Sequence, residues 1–245
     1  MGFKHLYFFT SLTVLSAPCF AFHDDINHIH GVSEMWANFT HDDGSGLYWE
    51  IANRIYEGEL LSLEATTYQR AVNQFNKGDV DFILGIYASD IEGDDHSLIT
   101  AQFIDVDYVA ACVKKGAVPA RVDTLQYGVG AWVKDYGYEA IFDIKQFYEV
   151  PDRAKGLQML SKGRVDYFID ALTEINLEFD AHPSLIAEVD CKVIHEEGLY
   201  IAFHDDERGQ RLKKRWDTQF QHLLDSGEIK QMFVKYKVSY PFEMH

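Results

Sequence analysis

The chain has 245 residues, 47% of them hydrophobic and 14% aromatic, with a formal charge of −17. That length folds as one large domain or as two lobes of about 100 residues each. A field of this sign repels nucleic acid and anionic lipid surfaces, so neither is an expected partner, but it does not identify a ligand.

The first residues follow the three-part plan of a secretory signal peptide. Lys4 supplies the positive charge and residues 6–15 are a short apolar run. Ala17-Pro-Cys-Phe-Ala21 puts small residues before a cut ahead of Phe22. The apolar run is far below the roughly 20 residues that cross a bilayer. Ser16 and Pro18 around Cys19 do not fit a lipid-attachment signal. The expectation is an exported, periplasmic chain beginning near residue 22.

Strands and helices then alternate. Residues 29–36 read as a strand, and Asp42-Asp-Gly-Ser-Gly46 as a turn. Residues 47–56 carry Leu47, Ile51 and Ile55 at helical spacing. Residues 60–65 read as a strand and residues 67–76 as a helix with Thr67 as a cap and Lys77-Gly78 as its end. Residues 80–86 are a short apolar strand. Strand, helix, strand in this order predicts parallel pairing with helices on the sheet. Further on, residues 127–132 read as a strand, 153–161 as a helix ended by Lys162-Gly163, and 165–169 as a strand. Phe75-Asn-Lys-Gly-Asp-Val-Asp-Phe82 and Leu160-Ser-Lys-Gly-Arg-Val-Asp-Tyr167 are near copies, which suggests two lobes built alike.

Chemistry-bearing motifs are few. His28-Ile-His30, with His23 nearby, reads as solvated histidines, and Cys112 and Cys191 lack the spacing of a zinc site, so no metal is expected. There is no Gly-x-Ser-x-Gly, His-Glu-x-x-His or phosphate-binding glycine loop, and no cofactor is expected.

Gly44-Ser-Gly-Leu-Tyr-Trp-Glu-Ile51, both Lys-Gly-x-Val-Asp phrases, Asp107-Tyr108, Asp170 and the tail from Leu224 to Tyr236 stand in an order and spacing that resembles the family 3 extracellular solute-binding proteins. These proteins serve amino-acid importers and some sensory receptors. The resemblance implies an α/β fold of the type II periplasmic-binding-protein kind, two lobes joined by two crossing strands with ligand between them. Lobe one would be residues 22–109 and 193–245, and lobe two, with the crossings, residues 110–192. The crossings would lie near 109–113 and 189–193, which places Cys112 and Cys191 in them; a disulfide there follows from that position alone, against the alternative of two separate thiols.

Ligands of parallel α/β sheets sit at the carboxyl ends of strands. Those ends supply Trp36, Gly85, Tyr87 and Asp90 from lobe one, and Trp132 and Asp170 from lobe two. The aromatic rings would stack on a ligand, unless they are ordinary core, and Asp170 matches the position that meets an α-amino group. One departure from the family pattern stands out. Where its amino-acid binders carry Thr-x-x-Arg, whose arginine clamps a carboxylate, this chain reads Ala88-Ser-Asp-Ile-Glu-Gly-Asp-Asp-His96. That shift from arginine to acids favours an amine-bearing ligand, unless the acids are a solvated loop outside the cleft. The expected function is therefore a monomeric binding protein, not an enzyme, that delivers a small polar ligand to the inner-membrane permease of an ABC-type importer. A sensor acting on a membrane receptor is the alternative. A third reading is a dehydratase of cyclic acids with Glu174 as its acid–base group, although such dianionic substrates need arginines.

Overall fold

A computed structural model describes residues 28–91 and 96–242. The leader, Cys19, His23 and the acids Glu92, Asp94 and Asp95 lie outside the described residues. Among the described residues no helix is long and apolar enough to cross a membrane.

In chain order the first half contains β1 (His28–Glu34), α1 (Leu47–Ile55), β2 (Leu60–Thr66), α2 (Tyr68–Asn76), β3 (Phe82–Tyr87) and β4 (Ser97–Ile99). Then β5 (Asp105–Lys114) leads into α3 (Val122–Leu125), β6 (Gly130–Val133), α4 (Tyr138–Ile141), β7 (Phe147–Val150), α5 (Arg153–Ser161), β8 (Tyr167–Ala171) and α6 (Leu172–Ala181). The long β9 (Val189–His204) returns to the first half, which α7 (Glu207–Ser226) and α8 (Glu228–Tyr236) complete.

The strands form one continuous sheet in the order β2-β1-β3-β9-β5-β8-β6-β7, with β4 on β9. At one end β2, β1 and β3 are parallel, and at the other β8, β6 and β7 are parallel, as strand–helix–strand order requires. Between them β5 and β9 run antiparallel from Asp105↔Leu199 to Lys114↔Val189. β3 joins β9 antiparallel and β8 joins β5 antiparallel, so each parallel unit meets the central pair in the same manner. A bulge between Val109 and Ala110 breaks the central ladder midway. Cys112 and Cys191 face each other on this pair and form a disulfide, 79 residues apart in sequence.

Each half has its own core on both faces of its sheet. Trp49, Trp216 and Phe233 anchor one cluster of the first half, and Phe75 and Val80 belong to the other. In the second half Trp132 and Tyr138 anchor one cluster, Leu157 and Phe168 the other. The near-copied phrases do the same work in both halves. Gly78 and Gly163 end their helices in the left-handed region, at φ 75° and 65°. Asp79 N donates to Gln74 O while Gly78 N donates to Phe75 O, and Arg164 and Gly163 repeat that pair on Met159 and Leu160. These are the two bonds of a glycine-terminated helix end. The following aspartates also match: Asp81 accepts from His30 N at 2.9 Å and Asp166 from Val129 N at 2.7 Å, each tying its turn to the neighbouring chain segment.

Candidate functional site

The cleft between the halves is floored by β5. Alternation along a strand puts Asp105 and Asp107 on one face, with about 6.5 Å of strand between their α-carbons. Both are buried and each accepts from a tyrosine: Tyr48 Oη lies 2.8 Å from Asp105 Oδ2, and Tyr87 Oη donates to Asp107 Oδ2. The pattern continues around the rim. Within the first half Tyr68 donates to Asp90, and between the halves Tyr136 Oη donates to Glu34 Oε1 at 3.1 Å. Four tyrosine–carboxylate pairs thus line one cleft.

Two adjoining cavities of about 40 Å³ each occupy it, sharing Trp36, Asp107 and Ala171. One reaches toward Asp105, Tyr48 and Glu174, the other toward Glu34, Asp90, Tyr68 and Arg153. Each is far smaller than the roughly 300 Å³ of a small-molecule site, so this is a closed cleft filled largely by its own side chains.

Gly85 makes room for Trp36. It sits at a bulge in the β3–β9 pairing with φ 82°, and a Cβ there would lie 2.6 Å from Trp36 Cζ3. Trp36 packs edge-on to Tyr48 at 6.3 Å between centroids.

Among the described residues, the lining holds five carboxylates (Glu34, Asp90, Asp105, Asp107 and Glu174) and one guanidinium, Arg153. Arg153 is the first residue of α5, whose cap Asp152 accepts from Lys155 N. Its Nε stands 3.0 Å from Asp170 Oδ2 and 3.3 Å from Glu174 Oε2, while Nη2 donates to Tyr136 Oη at 2.7 Å. Its carbon Cζ lies 5.8 Å from the centre of the Tyr136 ring, within cation–π range. Burial opposes the charge on Arg153, but Asp170, Tyr136, Glu174 and Glu34 outweigh it and hold the guanidinium protonated. Desolvation pushes the carboxyl groups the other way. Glu34, Asp105 and Asp170 are each raised to about 7, and Asp90, Asp107 and Glu174 are also raised. Arg153 partly opposes this at Glu34 and Asp170. A cleft so arranged offers acceptors and ring faces to a cation.

No protein-family model matches the chain, and no curated protein is significantly similar to it in sequence. Solved structures are similar in shape. The GluR0 ligand-binding core from Nostoc punctiforme, in complex with L-glutamate, has a TM-score of 0.67 at 16% identity, over 85% of this chain and 98% of that one. A histidine kinase sensor domain with similarity to periplasmic binding proteins has a TM-score of 0.69 at 17% identity, over 85% and 95%. A probable amino-acid ABC transporter extracellular-binding protein from Bacillus subtilis has a TM-score of 0.67 at 14% identity, over 85% and 97%. The chain has the two-lobed periplasmic-binding-protein fold.

Within that fold Trp36, Gly85, Tyr87 and Asp90 stand together at the cleft. Trp132 does not: it is fully buried, stacked on Phe147 at 4.7 Å and edge-on to Tyr138, and lines neither cavity. Asp170 is fully buried beneath Arg153, so its neighbour Ala171 faces the cavities instead. Sequence reasoning missed Glu34, Tyr68, Asp105, Asp107, Tyr136 and Arg153. Glu34 is the last residue of β1, and placing that strand's end at 34 rather than 36 would have selected it. Asp105 and Asp107 alternate at the start of β5, of which the sequence reading assigned only the stretch near 109–113, as a crossing. Arg153 follows the end of β7, a strand with no separate signature.

Proposed function

We propose that this is a periplasmic solute-binding protein that closes its two lobes on a small polar, amine-bearing ligand. The observation that carries the reading is the set of four tyrosine–carboxylate pairs facing one cleft between lobes joined by two strands. A carboxylate already accepting from a tyrosine keeps lone pairs for an ammonium group, and ring faces nearby add cation–π attraction. Hinge closure needs no nucleophile or cofactor. The leader-like N-terminus supports export.

Two modes of use remain, because similar structures include an importer's binding protein and a kinase sensor domain. Delivery to an ABC-type permease is the primary reading, and signalling to a membrane receptor the second. Loss of ligand uptake on deletion of the gene supports delivery; unchanged uptake with altered ligand-dependent transcription supports signalling.

Thermal unfolding against amines, amino acids, sugars and cyclic acids tests the ligand class. A ligand at a hundred times its Kd stabilises the folded state by about 2.7 kcal/mol. For a chain of this size that raises Tm by roughly 5–10 °C. Shifts with amines alone support the reading, and shifts confined to sugars or cyclic acids overturn it.

A further inference from the structure

Arg153 is the one cation among the described residues of the cleft lining, and it is treated there as a ligand would be. Its guanidinium lies over the Tyr136 ring and between Asp170 and Glu174. Asp170 is fully buried, and although Arg153 Nε is 3.0 Å away, neither that nitrogen nor Asp170 Oδ2 has a partner aligned as a hydrogen bond. A permanent structural ion pair is usually completed by aligned bonds, because both charges have been taken out of water. Here a fully buried acceptor faces a cation held off its best angle. The side chain reaches this place from the first turn of α5, so its stem can swing without unwinding a helix. Across from that pair Asp107 accepts from Tyr87 and Glu34 from Tyr136, and Arg153 acts on both acids through its charge without an ion pair to either.

We propose that Arg153 is the specificity-determining residue of the cleft: a cation supplied by the chain that fills the Asp170–Glu174 subsite and leaves a ligand ammonium the Asp107–Glu34 wall. This rests on the amine-binding reading above. The cleft is then a two-cation site in which one position is taken. Removing the guanidinium opens the second position to the ligand.

The test compares n-butylamine with 1,4-diaminobutane by calorimetric titration of the wild type, Arg153→Met and Arg153→Lys. A charge-assisted bond gained at the vacated carboxylates improves affinity by about tenfold or more. The diamine-to-monoamine affinity ratio is therefore expected to rise at least about tenfold in Arg153→Met and to return to the wild-type value in Arg153→Lys. A purely structural Arg153 would weaken both amines together and leave the ratio unchanged, which overturns the inference while leaving the amine reading intact. Binding of neither amine by the wild type or the variants overturns both. Should Arg153→Met not fold alone, its unfolding is followed with added methylguanidine. Restored cooperative unfolding shows a subsite that a free cation fills, and no restoration overturns the proposal.

Discussion

Tyr136 and Glu34 meet across the cleft: the Tyr136 hydroxyl, from the second lobe, donates to Glu34 Oε1 on the first at 3.1 Å. Tyr136 Oη in turn accepts from Arg153 Nη2, so one hydroxyl relays between an acid of one lobe and a cation of the other. Hydrogen bonds involving charged groups contribute about 1.5–3 kcal/mol. Tyr136→Phe should therefore shift the ligand-free protein toward an open form by roughly tenfold or more. Small-angle scattering checks this: the radius of gyration should rise in the variant, and an unchanged value would mean that the lobes are held by other contacts.

Acidification should stabilise the ligand-free protein. Glu34, Asp105 and Asp170 are each raised to about 7 by burial, above the carboxylate values of the unfolded chain. Between about pH 4.5 and 7 the folded state thus binds more protons than the unfolded state. Stability contributed by these groups falls as pH rises through that window. Tm measured from pH 7.5 down to pH 5 is expected to increase, and Glu34→Gln should flatten that slope. A slope that Glu34→Gln leaves unaltered would assign the effect to other acids.

The two tryptophans once paired as cleft residues should separate cleanly. Trp132→Ala removes a fully buried ring and should cost about 3–5 kcal/mol. Any ligand that the protein retains should bind the surviving folded fraction unchanged. Trp36→Ala, at a half-buried position lining both cavities, should do the reverse, costing little in denaturant unfolding and most of the ligand-induced rise in Tm.

Reducing the Cys112–Cys191 bond should destabilise the protein by about 2–4 kcal/mol, because it closes a long loop. For this size Tm should fall by roughly 5–15 °C. Thiol titration of the denatured chain before and after reduction provides the control: a gain of two thiols accompanies the bond, and no gain would mean that the pair is already free.

The fold was legible in the sequence because its signals are local. Gly78 and Gly163 end helices by backbone geometry that neighbouring residues alone impose, and Val80 and Val165 start the next buried segment in each half. Trp36, Gly85, Tyr87 and Asp90 were legible for the same reason, as residues at or just beyond strand ends in one lobe. The other wall was not. All of Gly130, Ala131 and Trp132 in β6 are buried, so alternation gave no hint that Trp132 turns into its own core rather than the cleft. Nor does any local pattern say that Arg153 lies over Asp170, or that Tyr136 reaches Glu34 102 residues away in the chain. Local hydrogen bonding and hydrophobic spacing determine the elements. Which charge meets which carboxylate depends on how two separately built cores approach each other, and that only the tertiary structure decided.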